Sequence, residues 1–456
     1  MPKVIHLLKL HLNHFYLDQT KIIDEYKISL NTFLGEGSFG KTYEAFDNKG
    51  NVYACKVIEI ASLKTDAQKK NLIRELKNGF KLKNKHIMRF YDVKRTKSNI
   101  YLFLEYCQGV TLANFIEYYQ KKFNKNLPLK LIQIITIQLI NALSYLSVNN
   151  VLHRDIKTDN IMLSCNKKII KEKKEKEEKI KKMFENVKQI NNLYKITLKN
   201  SDFSNINLIN NEEDEDFLTY KECNTEEELI DTIEKNYVVK LIDLGLSKEI
   251  DDSTLIETVL GSPAYMSPEI WKKYLNKKMS STNPKKIDIY STGIVLYNLI
   301  YGNEKIPYKD DVSNIKELIA AVMKGKYYIK NQENLCLELV DLMNGMLKAN
   351  ENVRYGIEKL INHPFVVKKY EELTKYNEED KIYNGNDENN LIDFEIKKNI
   401  KDYINEINKE KEEDNPEMEK FIDSLFLTDG IIIDYITKEN EVEKDWTLIE
   451  LNNELI

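Results

Sequence analysis

The apolar positions change period along the chain, with strand-like runs dominating up to residue 107 and helix-length apolar blocks after it. Residues 26–34 read as a strand that runs into Gly35-Glu36-Gly37-Ser38-Phe39-Gly40. Thr42-Tyr43-Glu44-Ala45, the turn Asn48-Lys49-Gly50 and Tyr53-Ala54-Cys55-Lys56-Val57-Ile58 then read as a β-hairpin. Leu72, Ile73, Leu76 and Phe80 fall at helical spacing, with Glu75 inside that helix. Residues 101–107 are a buried strand ending in polar chain. Pro128 opens a strongly apolar helix through Leu146, as proline in a first turn does. Residues 151–163, V-L-H-R-D-I-K-T-D-N-I-M-L, place a polar loop between short buried strands. Residues 237–242 are a further strand, and an apolar helix starts at Ile287.

Membrane spans are not expected. The most apolar blocks, 129–146 and 287–301, carry Gln133, Gln138, Asn141, Asp288 and Asn298. Residues 1–18 are broken by lysines and histidines and lack a small-residue cleavage pattern, which predicts a short amphipathic helix and not a signal. The 68 basic and 73 acidic residues leave a net charge of −5, so there is no basic field to hold nucleic acid. Cys55, Cys107, Cys165, Cys223 and Cys336 are odd in number and form no C-x-x-C pair; they read as reduced thiols of a cytoplasmic protein.

Chemistry concentrates at His153-Arg154-Asp155-Ile156-Lys157 and Asn160. Asp155 suits acceptance of a proton from a hydroxyl nucleophile, Lys157 suits neutralising a transferred phosphoryl group, and Asn160 suits giving an oxygen to a divalent metal. The spacing resembles the H-R-D-L-K-x-x-N catalytic loop of eukaryotic protein kinases. Four more stretches are similar to the family's motifs. They are G-E-G-S-F-G at 35–40, Y-A-C-K ending at Lys56, D-L-G starting at Asp243, and G-S-P-A-Y-M-S-P-E ending at Glu269. G-x-G-x-x-G alone is shared with dinucleotide-binding folds, where a helix follows; a hairpin follows here.

The resemblance implies an α+β, two-lobed kinase fold. Its parts are a β-rich N-lobe and hinge at 26–107 and an α-helical C-lobe at 108–370, interrupted by a charged low-complexity insert at 165–236. An N-terminal extension, 1–25, and an acidic C-terminal extension, 371–456, flank them. It implies ATP and Mg²⁺ as cofactors. Gly35, Glu36, Gly37, Ser38, Phe39, Gly40, Thr42, Ala54, Lys56, Leu104, Glu105, Cys107 and Met162 would surround the nucleotide, with Leu104 as gatekeeper and Met162 under the adenine. Asn160 and Asp243 would hold metal, Glu75 would orient Lys56, and Asp155 and Lys157 would serve the transfer. Asp288 would brace the catalytic loop, and Arg354 would pair with Glu269. Arg154 would belong to a cationic pocket for a phosphate on the activation segment. Thr258 is the candidate phosphosite, with Ser253 and Thr254 competing; each is equally readable as an ordinary polar loop residue.

Lys157 and Gly261-Ser262-Pro263 resemble the serine/threonine class, so the implied substrates are proteins bearing Ser or Thr. The E-Y-C hinge and the G-S-P-x-Y-M-x-P-E ending are reminiscent of unc-51-like, autophagy-initiating kinases, and NIMA-related kinases share much of this. One departure stands out. Gly79 occupies a place where kinases carry an apolar residue of the regulatory spine, which predicts a cavity and a loosened helix that needs a partner or an inward shift of Phe80. A catalytically weak pseudokinase scaffold is the alternative; intact Lys56, Asp155, Asn160 and Asp243 argue against it.

In the insert, residues 167–188 hold ten lysines and five acids, and residues 212–234 hold eleven acids and one lysine. The first part reads as a solvated helix and the remainder as disordered, either padding or a docking segment for a regulatory protein. The C-terminal extension has apolar islands at 421–426 and 431–436, which allow helices packing onto the kinase. Near its end, Trp446-Thr447-Leu448-Ile449 resembles the motif that adds a strand to ubiquitin-like autophagy proteins; docking of Trp446 on its own domain is the other reading.

Overall fold

Antiparallel strands joined by tight turns build the N-terminal lobe. They are β1 (Thr20–Ile23), β2 (Tyr26–Gly37), β3 (Gly40–Asp47), β4 (Val52–Glu59), β5 (Phe90–Arg95) and β6 (Asn99–Glu105), in the sheet order β1-β2-β3-β4-β6-β5. The β3–β4 turn is held by Asp47, whose Oδ1 accepts the amides of Lys49 and Asn51 at 2.8 Å, and Gly50 takes the positive φ of +80° there. Alternation along β4 sends Cys55 to one face and Lys56 and Ile58 to the other. The Cys55 face buries Ile28, Tyr43 and Tyr101, with Tyr26 stacked on Phe103. The Ile58 face packs on α1 (Asp66–Lys81) through Leu72 and Leu76. A reciprocal Thr65–Gln68 capping box starts this helix.

The computed structural model describes residues 20–37, 40–165, 220–243, 248–249, 262–276, 284–303, 305–308, 312, 314–329, 335–373, 382–384, 397–407 and 416–426. The amphipathic helix expected at 1–18, the lysine-rich part of the insert, Ser38, Phe39, Ser253, Thr254, Thr258, the island at 431–436 and Trp446 lie outside those residues.

The C-terminal lobe is helical. After β7 (Gly109–Thr111) and α2 (Leu112–Phe123), α3 (Leu129–Val148) runs through its centre. By length and composition α3 could cross a membrane, but 67% of its most apolar window is buried inside the protein. It packs against α6 (Ile287–Tyr301), which follows α5 (Pro268–Asn276). The catalytic loop lies between β8 (Val151–Leu152) and β9 (Ile161–Cys165), and β9 is flanked by β7 and β10 (Tyr237–Leu241). A short β11 (Lys248–Glu249) pairs with β8. The remaining elements are α7 (Ile315–Lys324), β12 (Lys326–Tyr328), α8 (Leu337–Met346), α9 (Ile357–Ile361) and α10 (Pro364–Val367).

The end of the insert departs from expectation. Residues 220–236 were expected to be disordered, yet α4 (Glu226–Asn236) is a packed helix that buries Leu229 and Ile233, and Tyr220 and Cys223 precede it into the core. The acids that read as a charge run sit where a helix wants them. Glu226, Glu227 and Glu228 occupy the first turn, next to the positive end of the helix dipole, and Glu228 closes a capping box with Thr225. Glu226 also accepts from the Tyr119 hydroxyl and pairs with Lys125, fastening α4 to α2 and the chain just after it.

The C-terminal extension folds back on both lobes. β13 (Ile382–Asn384) pairs with β12, α11 (Ile400–Ile407) packs on α3, and α12 (Pro416–Ser424) packs on α1.

Candidate active site

On the inner face of β4, Lys56 is almost fully buried, and two carboxylates face its ammonium. Glu75 Oε1 from α1 lies at 3.3 Å and Asp243 Oδ1, just after β10, at 3.6 Å. Burial alone would push the Lys56 ammonium down, but Glu75 and Asp243 outweigh it and hold its pKa above the ordinary lysine value. Glu75 sits deeper, and its Oε2 has no hydrogen-bond partner among the described residues. Gly35 and Gly37 extend β2, and Gly37 pairs with Gly40. A Cβ on Gly40 would fall 1.9 Å from Val57 O, so only glycine lets β3 approach β4 this closely at the root of the loop. Thr42 stands opposite Lys56 in the β3–β4 register, and Glu36 opposite Lys41.

The catalytic loop is braced from below. Asp288 on α6 accepts the amides of His153 at 2.7 Å and Arg154 at 2.9 Å, and His153 Nε2 donates to Ile242 O at 3.0 Å. This network holds Arg154 at φ +69°, and Asp243 has φ +60°. Non-glycine residues pay roughly 1–2 kcal/mol for that region, so these bonds offset local strain. Asp155 is aimed by its neighbours. Its Oδ2 accepts from Asn160 Nδ2 at 2.8 Å and lies 3.3 Å from Lys157 Nζ. Its Oδ1 accepts from the amide and hydroxyl of Ser262 at 3.1 and 3.3 Å. Lys157 Nζ donates to the same hydroxyl at 3.0 Å, so one hydroxyl already lies between base and cation.

Ala54 pairs with Leu104 across β4 and β6, and Met162 on β9 stands opposite Lys240 of β10. Leu104 is buried and Cys107 half-buried. Glu105 is engaged away from a ligand through its amide, which donates to Arg89 O at 2.8 Å, and its carboxylate, which pairs with Lys240 at 2.9 Å. Sequence reasoning missed this buried pair; a lysine inside the apolar run 237–242 was the available signal.

Asn160 and Asp243 adjoin, since Ile242 N donates to Asn160 O at 2.9 Å. The amide nitrogen of Asn160 is turned to Asp155, and the remaining donors are hard oxygens, a set that fits Mg²⁺ and not a soft metal. Among the described residues there is no cluster of three or more His, Cys, Asp or Glu suited to a metal ion.

The expected cavity at Gly79 is absent. A Cβ there would fall 2.3 Å from two carbons of the Phe90 ring, so the aromatic side chain from β5 fills the space that Gly79 leaves. The signal was a bulky residue eleven positions on, whose proximity no local pattern shows. Lower in the site, Arg354 donates to both Glu269 oxygens at 2.6 and 2.8 Å, the expected pair. Arg154 Nε and Lys273 Nζ are shut off from solvent with no partner among the described residues. Burial pushes the Arg154 guanidinium down to about 10; the Asp288 carboxylate opposes this and Arg74 adds repulsion.

A lysine held by two carboxylates, a braced aspartate and a cleft between a β-lobe and an α-lobe define a protein kinase. The family model described as the protein kinase domain matches residues 28–172 and 225–366, and the chain belongs to that family. The unmatched residues between the two blocks fall within the insert. The chain is similar to the serine/threonine-protein kinase ATG1 of Pichia angusta, with 27% identity over 76% of this chain and 38% of that protein. The ATG1 kinase of Kluyveromyces lactis gives 27% identity over 75% and 36%. The probable serine/threonine-protein kinase fhkC of Dictyostelium discoideum gives 23% over 78% and 47%. The chain thus matches less than half the length of each of these relatives.

Proposed function

We propose that this chain is an active kinase that transfers the γ-phosphoryl group of ATP to serine or threonine hydroxyls of proteins. The observation that carries the reading is the Lys56 ammonium facing both Glu75 and Asp243, the arrangement a phosphate-holding lysine needs and a pure scaffold does not. Asp155 orients the substrate hydroxyl and takes its proton as the oxygen–phosphorus bond forms and ADP leaves. Lys157 neutralises charge on the transferring group, and Lys56 holds the nucleotide phosphates. Mg²⁺, held by Asn160 and Asp243, would supply charge neutralisation on the phosphates.

The same reading includes control by phosphorylation. Arg154 Nε and Lys273 Nζ, two cationic donors without a hydrogen-bond partner among the described residues, line a pocket that a phosphate on the activation segment satisfies, with Thr258 the candidate phosphosite. The two ATG1 relatives favour the unc-51-like group and, with it, a ubiquitin-like partner for Trp446 to Ile449. A cytoplasmic setting fits a sequence whose five cysteines are odd in number and form no C-x-x-C pair. The deciding experiment follows labelled γ-phosphate from Mg·ATP into the chain itself and into a basic protein, with Asp155→Asn as control. Transfer lost in the variant supports the reading. No transfer by folded wild type, before or after an upstream kinase has phosphorylated it, would leave the scaffold.

A further inference from the structure

The C-terminal extension reaches the helix that carries Glu75. It is first fastened to the C-lobe: Asn362 Oδ1 accepts the amides of Lys397 and Lys398 at 3.1 and 2.9 Å, and Tyr403 of α11 donates to Asn141 of α3. Eight residues beyond α11 the chain forms α12 against α1. There Phe421, Ile422 and Leu425 enter the main core, with Leu425 0% and Ile422 1% exposed. Lys77 Nζ meets Asp423 at 2.7 and 2.8 Å and lies 3.9 Å from Glu419, and Lys69 Nζ lies over the Phe426 ring. Lys69, Ile73 and Lys77 recur at intervals of four, so they share a stripe of α1 that is offset from Glu75. The ion pairs are half-exposed and hold weakly; the apolar residues supply the grip, and the charges set its register.

We propose that α12 is a positioning element for catalysis: anchored on the C-lobe, it presses α1 inward so that Glu75 meets Lys56. The proposal rests on the kinase reading. α1 has Phe90 beneath Gly79 and Lys56 in front of Glu75, and α12 closes the outer side. A loss of α12 therefore frees α1 to move out and take Glu75 with it, while the C-lobe keeps its shape.

The test uses the full chain with Ile422→Asp and Leu425→Asp together, read by steady-state kinetics and by amide hydrogen exchange. The expected result is at least a tenfold fall in kcat and a raised KM for ATP, with KM for a protein substrate unchanged. Exchange in α1 should speed up while α6 keeps its wild-type protection. Leu425→Met with Ile422 intact, which keeps the apolar contact, should hold kcat at the wild-type level. Lys77→Glu should lower kcat, and adding Asp423→Lys should recover it. Unchanged kcat despite faster exchange in α1, or protection lost equally in α1 and α6, would overturn the proposal. Absence of transfer by the wild type would instead refute the kinase reading, and exchange in α1 would still decide whether α12 holds that helix.

Discussion

Replacing Gly79 tests whether the Phe90 ring fills the space beneath α1. A Cβ at residue 79 would lie 2.3 Å from two ring carbons and 2.5 Å from a third, where carbon atoms normally rest about 3.5–4.0 Å apart. The ring has little room to retreat, because Phe90 is 5% exposed and its edge meets Phe80 at 5.7 Å between centroids. Overpacking costs about 3 kcal/mol at the upper end, and removing a helical glycine returns about 1 kcal/mol, so Gly79→Leu should destabilise by about 2 kcal/mol. Phe90→Ala should lose about 4 kcal/mol to the void it leaves. In the double variant the leucine enters that void, so the combined loss should be about 3 kcal/mol and not the additive value of about 6 kcal/mol. Urea midpoints of the four proteins at constant slope measure the cycle. A Gly79→Leu protein as stable as wild type, or single effects that add in the double variant, would refute the packing account.

Asp155→Asn should lower phosphoryl transfer by about 10²- to 10⁴-fold without altering stability, as measured by initial rates beside thermal melts. Arg354→Ala should strand the buried Glu269 carboxylate and destabilise by about 3–5 kcal/mol in urea unfolding. His86 gives a pH dependence. Burial, partly opposed by its bond to Val239 O, pushes its pKa down to about 4. As pH falls below the ordinary histidine value near 6.5, the unfolded chain takes up a proton that the folded chain refuses. Its contribution is therefore complete above about pH 6.5 and is lost towards pH 4, about 2 kcal/mol of it by pH 5. Urea midpoints at neutral pH and near pH 5 should show a shallower decline in His86→Gln; an equal decline in both proteins would remove His86 as the cause.

Residues proposed to serve a nucleotide or a hydroxyl could be picked out because chemistry restricts both their type and their spacing. Asp155, Lys157 and Asn160 sit on one loop, and the structure brings that loop to Asp243 through the backbone bond between Ile242 and Asn160 and the bond from His153 to Ile242 O. Packing partners were not legible in the same way. Gly79 looked like a defect because the neighbouring positions on α1 offer nothing to fill it, and the filling ring arrives from a strand whose own pattern asks only for an apolar residue. The acids of 226–228 looked like a solvated run because a count of charge ignores where along a helix each charge stands. The island at 421–426 was visible as apolar, but its target was not, since Lys77 is one of many surface lysines until Asp423 stands opposite it. These surprises share a physical cause: each is a contact between segments whose sequences are individually unremarkable and complementary only in three dimensions. Two of the three also converge on α1. That helix is set from beneath by Phe90, from in front by the Lys56 ammonium and from outside by α12, so the position of Glu75 reports on the sheet, the cleft and the C-terminal extension together. A chain built this way can make its catalytic geometry depend on a segment far from the cleft without changing any residue that touches substrate.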